Sequence, residues 1–258
     1  MLVLKAVGID KAFEGLKAIT NLSFSIFEGE IVGIIGPNGA GKSTLFNILT
    51  GFTEPDRGEI EFLGRDIVQL PTHKIVELGI GRTFQTPRVT KSSTVLDNII
   101  VGFHSRTRSG LFSALLKTKR SVVEMSQTVE ESLSILESLQ LRNKAWDLAS
   151  NLTVGEQRRM EIACALATGP KLLLLDEPMA GMSAEEIEHT VAAIRRIRLS
   201  GVTILLIEHN MRVLMELSDR VVAMNFGRKI AEGTPREVQN NPDVLDVYLG
   251  STKIGTDE

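Results

Sequence analysis

A chain of 258 residues, 43% of them hydrophobic, is long enough to bury one large core, or a core with a subdomain. Its net charge of -3 excludes the basic footprint of a nucleic-acid binder, and no apolar window approaches the roughly 20 residues that span a bilayer. A single cysteine, Cys164, excludes an internal disulfide, and no charged and apolar leader opens the chain, so a reducing cytoplasm is expected, with any membrane role peripheral.

Leu2-Val3-Leu4 and the series Leu22, Phe24 and Ile26, with Ser23 and Ser25 between, are strand patterns showing one face to a core. Phe13 lies between them and either packs in the core or offers a face on which a base can stack. Glu28-Gly29-Glu30 turns the chain into the apolar run Ile31 to Ile35. That run leads into Gly36-Pro37-Asn38-Gly39-Ala40-Gly41-Lys42-Ser43-Thr44 and then the helical run Leu45 to Leu49. A buried strand, a glycine-rich turn and a helix start in this order form a phosphate-binding loop. Lys42 is expected to reach the outer phosphates of a triphosphate, and Ser43 to sit beside Mg²⁺.

Pro55-Asp56-Arg57-Gly58 marks a turn, Glu59 to Phe62 alternates as a half-buried strand, and Pro71 opens a short helix that Gly79 closes. Gln85 ends the segment Gly81-Arg82-Thr83-Phe84; its side-chain oxygen suits a metal and a water. From Lys91 to Asn151 the pattern turns helical, with a capping-box start at Thr94 and Asp97 and helical spacing at Val129, Leu133 and Leu136. Between those helices lies Ser105-Arg106-Thr107-Arg108-Ser109-Gly110, with Lys117, Lys119 and Arg120 soon after. It is either a solvated basic insertion or one that faces an anionic membrane or a partner.

Leu152-Thr153-Val154-Gly155-Glu156-Gln157 precedes a helix faced by Met160, Ala163, Cys164 and Ala167, and offers a second set of helix N-terminal donors to a phosphate. Cys164 is expected as a small core residue. Leu172 to Leu175 is a strand that ends in Asp176 and Glu177, a pair suited to holding a metal hydration shell and to activating water. A helix through Ile187, Val191 and Ile194 follows, then the strand Thr203 to Ile207, so strands and helices alternate as in a mostly parallel sheet. His209, just beyond that strand, is either structural or a γ-phosphate contact. Asn225-Phe226-Gly227-Arg228 is a hairpin turn, Thr234-Pro235-Arg236-Glu237 starts a helix, and Ser251 to Glu258 is expected as a frayed tail.

Taken together, Phe13, the phosphate loop, Gln85, the Leu152 to Gln157 turn, Leu172 to Glu177 and His209 resemble the nucleotide-binding subunits of ABC transporters over nearly the whole chain. The resemblance implies an α/β P-loop cassette with a mixed or parallel central sheet, an antiparallel β subdomain and a helical subdomain. Its expected divisions are a first half of the ATP-binding core with the β subdomain over 1–90, the helical subdomain over 91–155, the second half of the core over 156–235, and a C-terminal helical piece and tail over 236–258.

It further implies an ATPase in which Phe13 stacks on adenine, the loop from Gly36 to Thr44 binds phosphates, and Ser43 and Gln85 ligate Mg²⁺. Asp176 then supports the metal, Glu177 is the general base and His209 contacts the γ-phosphate. Two copies, or this chain and a second ATP-binding subunit, close head to tail, so that Thr153, Val154, Gly155 and Glu156 of one face the nucleotide of the other. Implied partners are transmembrane permease subunits at the cytoplasmic face of the membrane and, indirectly, a periplasmic or extracellular binding protein.

Within the superfamily, Gly81 to Gln85, Gly110-Leu111-Phe112, Gln157 to Ile162 and Asn241-Pro242-Asp243-Val244 resemble the first of the two cassettes of branched-chain amino acid importers. Lipopolysaccharide-export and urea-type cassettes are similar, and an ATP-gated regulatory module is the alternative of a different class. The chain departs from the usual pattern at Val154 and Glu156 in the signature turn, at Ser183 where many cassettes carry an aspartate, and at Phe13 in place of the commoner tyrosine. Val154 adds a Cβ where backbone approaches phosphate, and Glu156 adds negative charge there unless it points away.

Overall fold

The computed structural model describes residues 1–83, 89–105 and 119–250. The chain divides into two compact units, Met1–Ile75 with Gly201–Glu258, and Val76–Ser200.

In the first unit, β1 (Leu2–Phe13) and β2 (Leu16–Phe27) pair antiparallel as a hairpin with Phe13 opposite Leu16. The two turn residues, Glu14 and Gly15, both have positive φ, +47° and +89°, which matches the right-handed twist of the strands they join. Both strands run further than the sequence pattern marks, so Phe13 is the last residue of β1 and not part of a connection. β4 (Arg57–Phe62) pairs with the other side of β1 and β5 (Arg65–Asp66) with β4, giving the antiparallel order β2-β1-β4-β5.

A second sheet in the same unit centres on β3 (Ile31–Ile35), flanked in parallel by β8 (Thr203–Ile207) and β9 (Arg220–Asn225). β10 (Arg228–Gly233) returns antiparallel on β9 through the turn at Phe226 and Gly227. Every residue of β3 and β8 is buried, as expected where both faces of a parallel sheet are covered. α1 (Lys42–Leu49) follows β3. α7 (Met211–Leu217), α8 (Pro235–Gln239) and α9 (Pro242–Gly250) contribute Leu214, Val238 and Val244 to a core with Ile35, Val221 and Ala223.

α2 (Thr72–Leu78) carries the chain into the second unit. There β6 (Ile80–Arg82) and β7 (Leu172–Asp176) pair in parallel. The helices are α3 (Val95–Gly102), α4 (Lys119–Ser138), α5 (Val154–Ala167) and α6 (Ala184–Leu199). Three of them open with the same device: Thr94 with Asp97, Thr153 with Glu156, and Ser183 with Glu186 are reciprocal capping boxes that satisfy two otherwise orphaned N–H groups each. Asn98 of α3 holds the preceding loop by accepting from the Thr90 N–H at 2.8 Å and donating to the Thr90 carbonyl at 3.1 Å. Gln85, Gly110 to Phe112, most of the basic insertion and the Ser251 to Glu258 tail lie outside the described residues.

Candidate functional site

In the first unit the phosphate loop runs from the end of β3 into α1. Gly41 is the N-cap of α1 with φ +98°, and a Cβ there would fall 2.5 Å from the Ala18 carbonyl oxygen of β2, so glycine is required by conformation and by contact alike. A capping side chain is lacking at this helix start, which leaves its first N–H donors to an outside acceptor. The loop is braced from the β9–β10 turn: Gly227 N–H donates to the Ala40 carbonyl at 3.1 Å, and the Gly227 carbonyl accepts from Thr20 N–H at 2.8 Å. Lys42 is buried, and its Nζ donates to the Gly36 and Pro37 carbonyls at 2.6 and 3.0 Å. The ammonium thus lies within the loop that its charge is suited to fill with phosphate. Ser43 beside it is exposed.

His209 is exposed just past β8, where the buried Glu208 accepts from the His209 and Asn210 N–H groups at 3.0 and 3.3 Å. Because Ile34 of β3 lies opposite Ile207 of β8 in a parallel pair, the phosphate loop and His209 leave the sheet from neighbouring C-terminal strand ends, where open α/β sheets bind ligands. Phe13 is 46% exposed, which rules out the core-packing option. Lys11 Nζ stands 5.4 Å from its ring centroid and donates to Asp56 Oδ1 at 2.8 Å, while Asp56 Oδ2 accepts from Ala12 N–H at 2.7 Å. These bonds, the lysine's first, hold the Asp56 carboxyl below the usual carboxylate range and fix the strand that presents the ring. Lys11, Lys17, Ile19, Asp56 and Arg57 also line a cavity of about 340 Å³.

In the second unit, four fully buried leucines of β7 deliver Asp176. Arg82 Nη2 donates to Asp176 Oδ2 at 3.1 Å, with the two side chains only 8% and 4% exposed. Thr83 Oγ1 accepts from Asp176 N–H at 3.1 Å, and Thr83 N–H donates to the Leu174 carbonyl at 3.0 Å. The strand that leads toward Gln85 is therefore fastened to the carboxylate read as a metal support. Glu177 follows with φ +49°, a left-handed conformation uncommon for a residue with a Cβ, which redirects the chain straight after the buried strand.

The Thr153 to Glu156 segment is not a turn ahead of a helix but the first turn of α5, with Thr153 as N-cap. Glu156 N–H donates to Thr153 Oγ1 at 3.2 Å, and Thr153 N–H donates to Glu156 Oε2 at 2.9 Å, so this carboxylate is turned back onto its own helix start. Val154 is 53% exposed. Thr153 Oγ1 and Gly155 N–H both donate to Glu186 Oε1, at 2.9 and 3.2 Å, and Glu186 Oε2 accepts from Ser183 N–H and Oγ at 3.0 and 3.2 Å. Hydrogen bonds from Ser183 N–H and then Thr153 hold the Glu186 carboxyl below its usual range. Ser183, where an aspartate is common, is thus the N-cap of α6. Sequence reasoning passed over Glu186, although a serine followed three residues later by glutamate is itself a helix-start signal. It also passed over the Arg82–Asp176 pair, which no local pattern announces.

The ABC transporter family model matches residues 19–180, and a second model, the branched-chain amino acid ATP-binding cassette transporter, matches residues 228–253. The chain is 44% identical to the high-affinity branched-chain amino acid transport ATP-binding protein LivG of Salmonella typhimurium, over 94% of this chain and 96% of that one. It is 40% identical to the corresponding BraF protein of Pseudomonas aeruginosa, over 96% and 98%. The crystal structure of the ADP conformation of MJ1267, an ATP-binding cassette of an ABC transporter, is 35% identical with a TM-score of 0.84, over 97% of this chain and 99% of that one.

Proposed function

The chain belongs to the ABC transporter family as an ATP-binding subunit, and on that premise we propose that it powers a branched-chain amino acid importer through ATP-dependent closure of a cassette dimer. It is an ATP hydrolase. The observation that carries the chemistry is the helix start at Gly41, uncapped and preceded by a loop that already holds the Lys42 ammonium. A triphosphate entering the loop replaces the Gly36 and Pro37 carbonyls as acceptor of that ammonium, and the α1 N–H groups bind its oxygens. Phe13 stacks on adenine with Lys11 behind the ring, and Gly39, Ala40, Ser43 and Thr44 complete the cradle.

Mg²⁺ would be held by the Ser43 hydroxyl, which is exposed, by the Asp176 carboxylate, and by the side chain of Gln85, which lies outside the described residues. No group of three or more His, Cys, Asp or Glu stands ready for a metal among the described residues, which suits an ion held by one or two protein oxygens and the phosphates themselves. Bound there, the ion screens the charge of the phosphate oxygens. Glu177 takes the proton of the attacking water as its oxygen bonds to the γ-phosphorus and the bridging bond to ADP breaks. His209 donates to a γ-phosphate oxygen, and Thr153 and Gly155 of the facing cassette contact the same group. Permease subunits at the cytoplasmic face of the membrane receive the motion, and a periplasmic or extracellular binding protein supplies the cargo. No helix long and apolar enough to cross a membrane is found among the described residues, which supports a peripheral attachment through such subunits.

The test is Glu177→Gln. Turnover is expected to fall to background with ATP binding retained, and continued turnover would overturn the assignment of the general base.

A further inference from the structure

Two helix starts converge on Glu186. One carboxylate oxygen serves the cap of α6 through Ser183, and the other accepts from Thr153 Oγ1 and Gly155 N–H at the start of α5. The last two donors are those that the proposed function directs at the terminal phosphate of a nucleotide held by a facing cassette. The carboxylate oxygen is packed on the backbone there, since a Cβ on Gly155 would come within 2.5 Å of it. A donor engaged by one anion is not available to another, and two anions at one helix start repel.

A second observation is independent of these bonds. Arg159, one turn further along α5, is 7% exposed, and its Nε and Nη1 have no hydrogen-bond partner. Its burial disfavours the charged guanidinium, and Glu156 and Glu186 are the groups that oppose that effect. This buried guanidinium, with donors to spare and close enough to Glu156 and Glu186 to feel their charge, leaves positive charge beside the α5 start that a further anion can offset.

We infer that Glu186 is an internal stand-in for the terminal phosphate, holding Thr153 and Gly155 in phosphate-binding geometry within the single chain and displaced by the nucleotide of the facing cassette. The inference rests on the reading of the α5 start as a phosphate contact. Glu186 then acts as a positioning residue that sets the ATP concentration at which two cassettes close. Its second oxygen remains on Ser183, so displacement leaves the α6 cap in place.

The experiment is the ATP dependence of steady-state turnover and of self-association by sedimentation, on the full chain with Mg-ATP. Glu186→Gln keeps an oxygen for the Ser183 cap and removes the charge. Half-saturating ATP is expected to fall about threefold or more, with kcat changed by less than about twofold. An unchanged or raised half-saturation overturns the inference. Should Glu186→Gln fail to fold, Glu186→Asp, which keeps the charge but shortens the reach to Gly155, is expected to move half-saturation the same way, and a move the other way overturns the inference. Glu185→Gln removes a neighbouring charge from the same first turn of α6, and an equal fall there would reduce the effect to bulk charge and overturn the specific displacement. Thr153→Ala separates the two levels: if it leaves half-saturating ATP unchanged, the phosphate reading of the α5 start fails and the inference with it. If it raises half-saturation while Glu186→Gln has no effect, only the inference fails.

Discussion

Several single residues change meaning once their partners are known. Glu156 introduces a charge that the sequence alone sets against a nucleotide, yet its carboxylate is spent on the Thr153 N–H, where a glutamine serves the same cap. Phe13 was ambiguous because an aromatic residue between strands suits a core and a base equally; its exposure follows from its place at the last pair of a hairpin, which the strand pattern did not reach. Cys164, expected as a small core residue, is half-buried, with its sulfur as the enclosed part. The thiol donates to the Asn98 carbonyl at 3.5 Å, and burial with the nearby Glu161 pushes its pKa up to about 12. Since the thiolate is the reactive form, alkylation by iodoacetamide at pH 8 is expected to be at least ~100-fold slower in the folded chain than in urea, as read by mass spectrometry. Equal rates would show that the thiol is not shielded.

Among the elements, most of those defined by short-range chemistry were legible. The capping boxes at Thr94 and Thr234, the hairpin turn at Phe226 and Gly227, and the phosphate loop all depend on residues within a few positions of one another, whereas the equally local box at Thr153 and Glu156 was read as a turn ahead of its helix. The Arg82–Asp176 pair joins strand ends 94 positions apart, and the convergence on Glu186 spans 31 to 33 positions, so both depend on how helices and strands are packed and not on any window of sequence. The start of α1 joins the two kinds: its glycines are a local signal, but the reason for Gly41 is the Ala18 carbonyl of β2. Gly41→Ala strains φ and drives a methyl group into that carbonyl. The expected cost is about 1–3 kcal/mol of stability, with half-saturating ATP raised more than about tenfold. Thermal melts and nucleotide titration measure the two effects, and a stable variant with unaltered affinity would remove the steric account.

At the scale of the whole molecule, no helix among the described residues is long and apolar enough to cross a bilayer, and the proposed function joins the chain to the membrane through contact with permease subunits. The helical part of the second unit offers a probe of that contact. Trp146 is the chain's one tryptophan and is 71% exposed. It is held on a stretch that is tied to α3 by the bonds Val95 N–H to Asp147 O at 3.0 Å and Leu96 N–H to Ala145 O at 2.9 Å. An exposed aromatic side chain on a fixed backbone is the kind of residue that dominates binding energy when an interface covers it. Intrinsic tryptophan fluorescence therefore reports on this single point of the surface. Assembly with the permease subunits is expected to shift the emission to the blue and reduce quenching by acrylamide, while Mg-ATP added to the chain alone leaves both nearly unchanged. Trp146→Ala is expected to weaken recovery of those subunits with the chain by about tenfold or more and to spare ATP turnover of the isolated chain. If emission and quenching are the same before and after assembly, the permease does not cover this face, and the coupling contact lies elsewhere on the cassette.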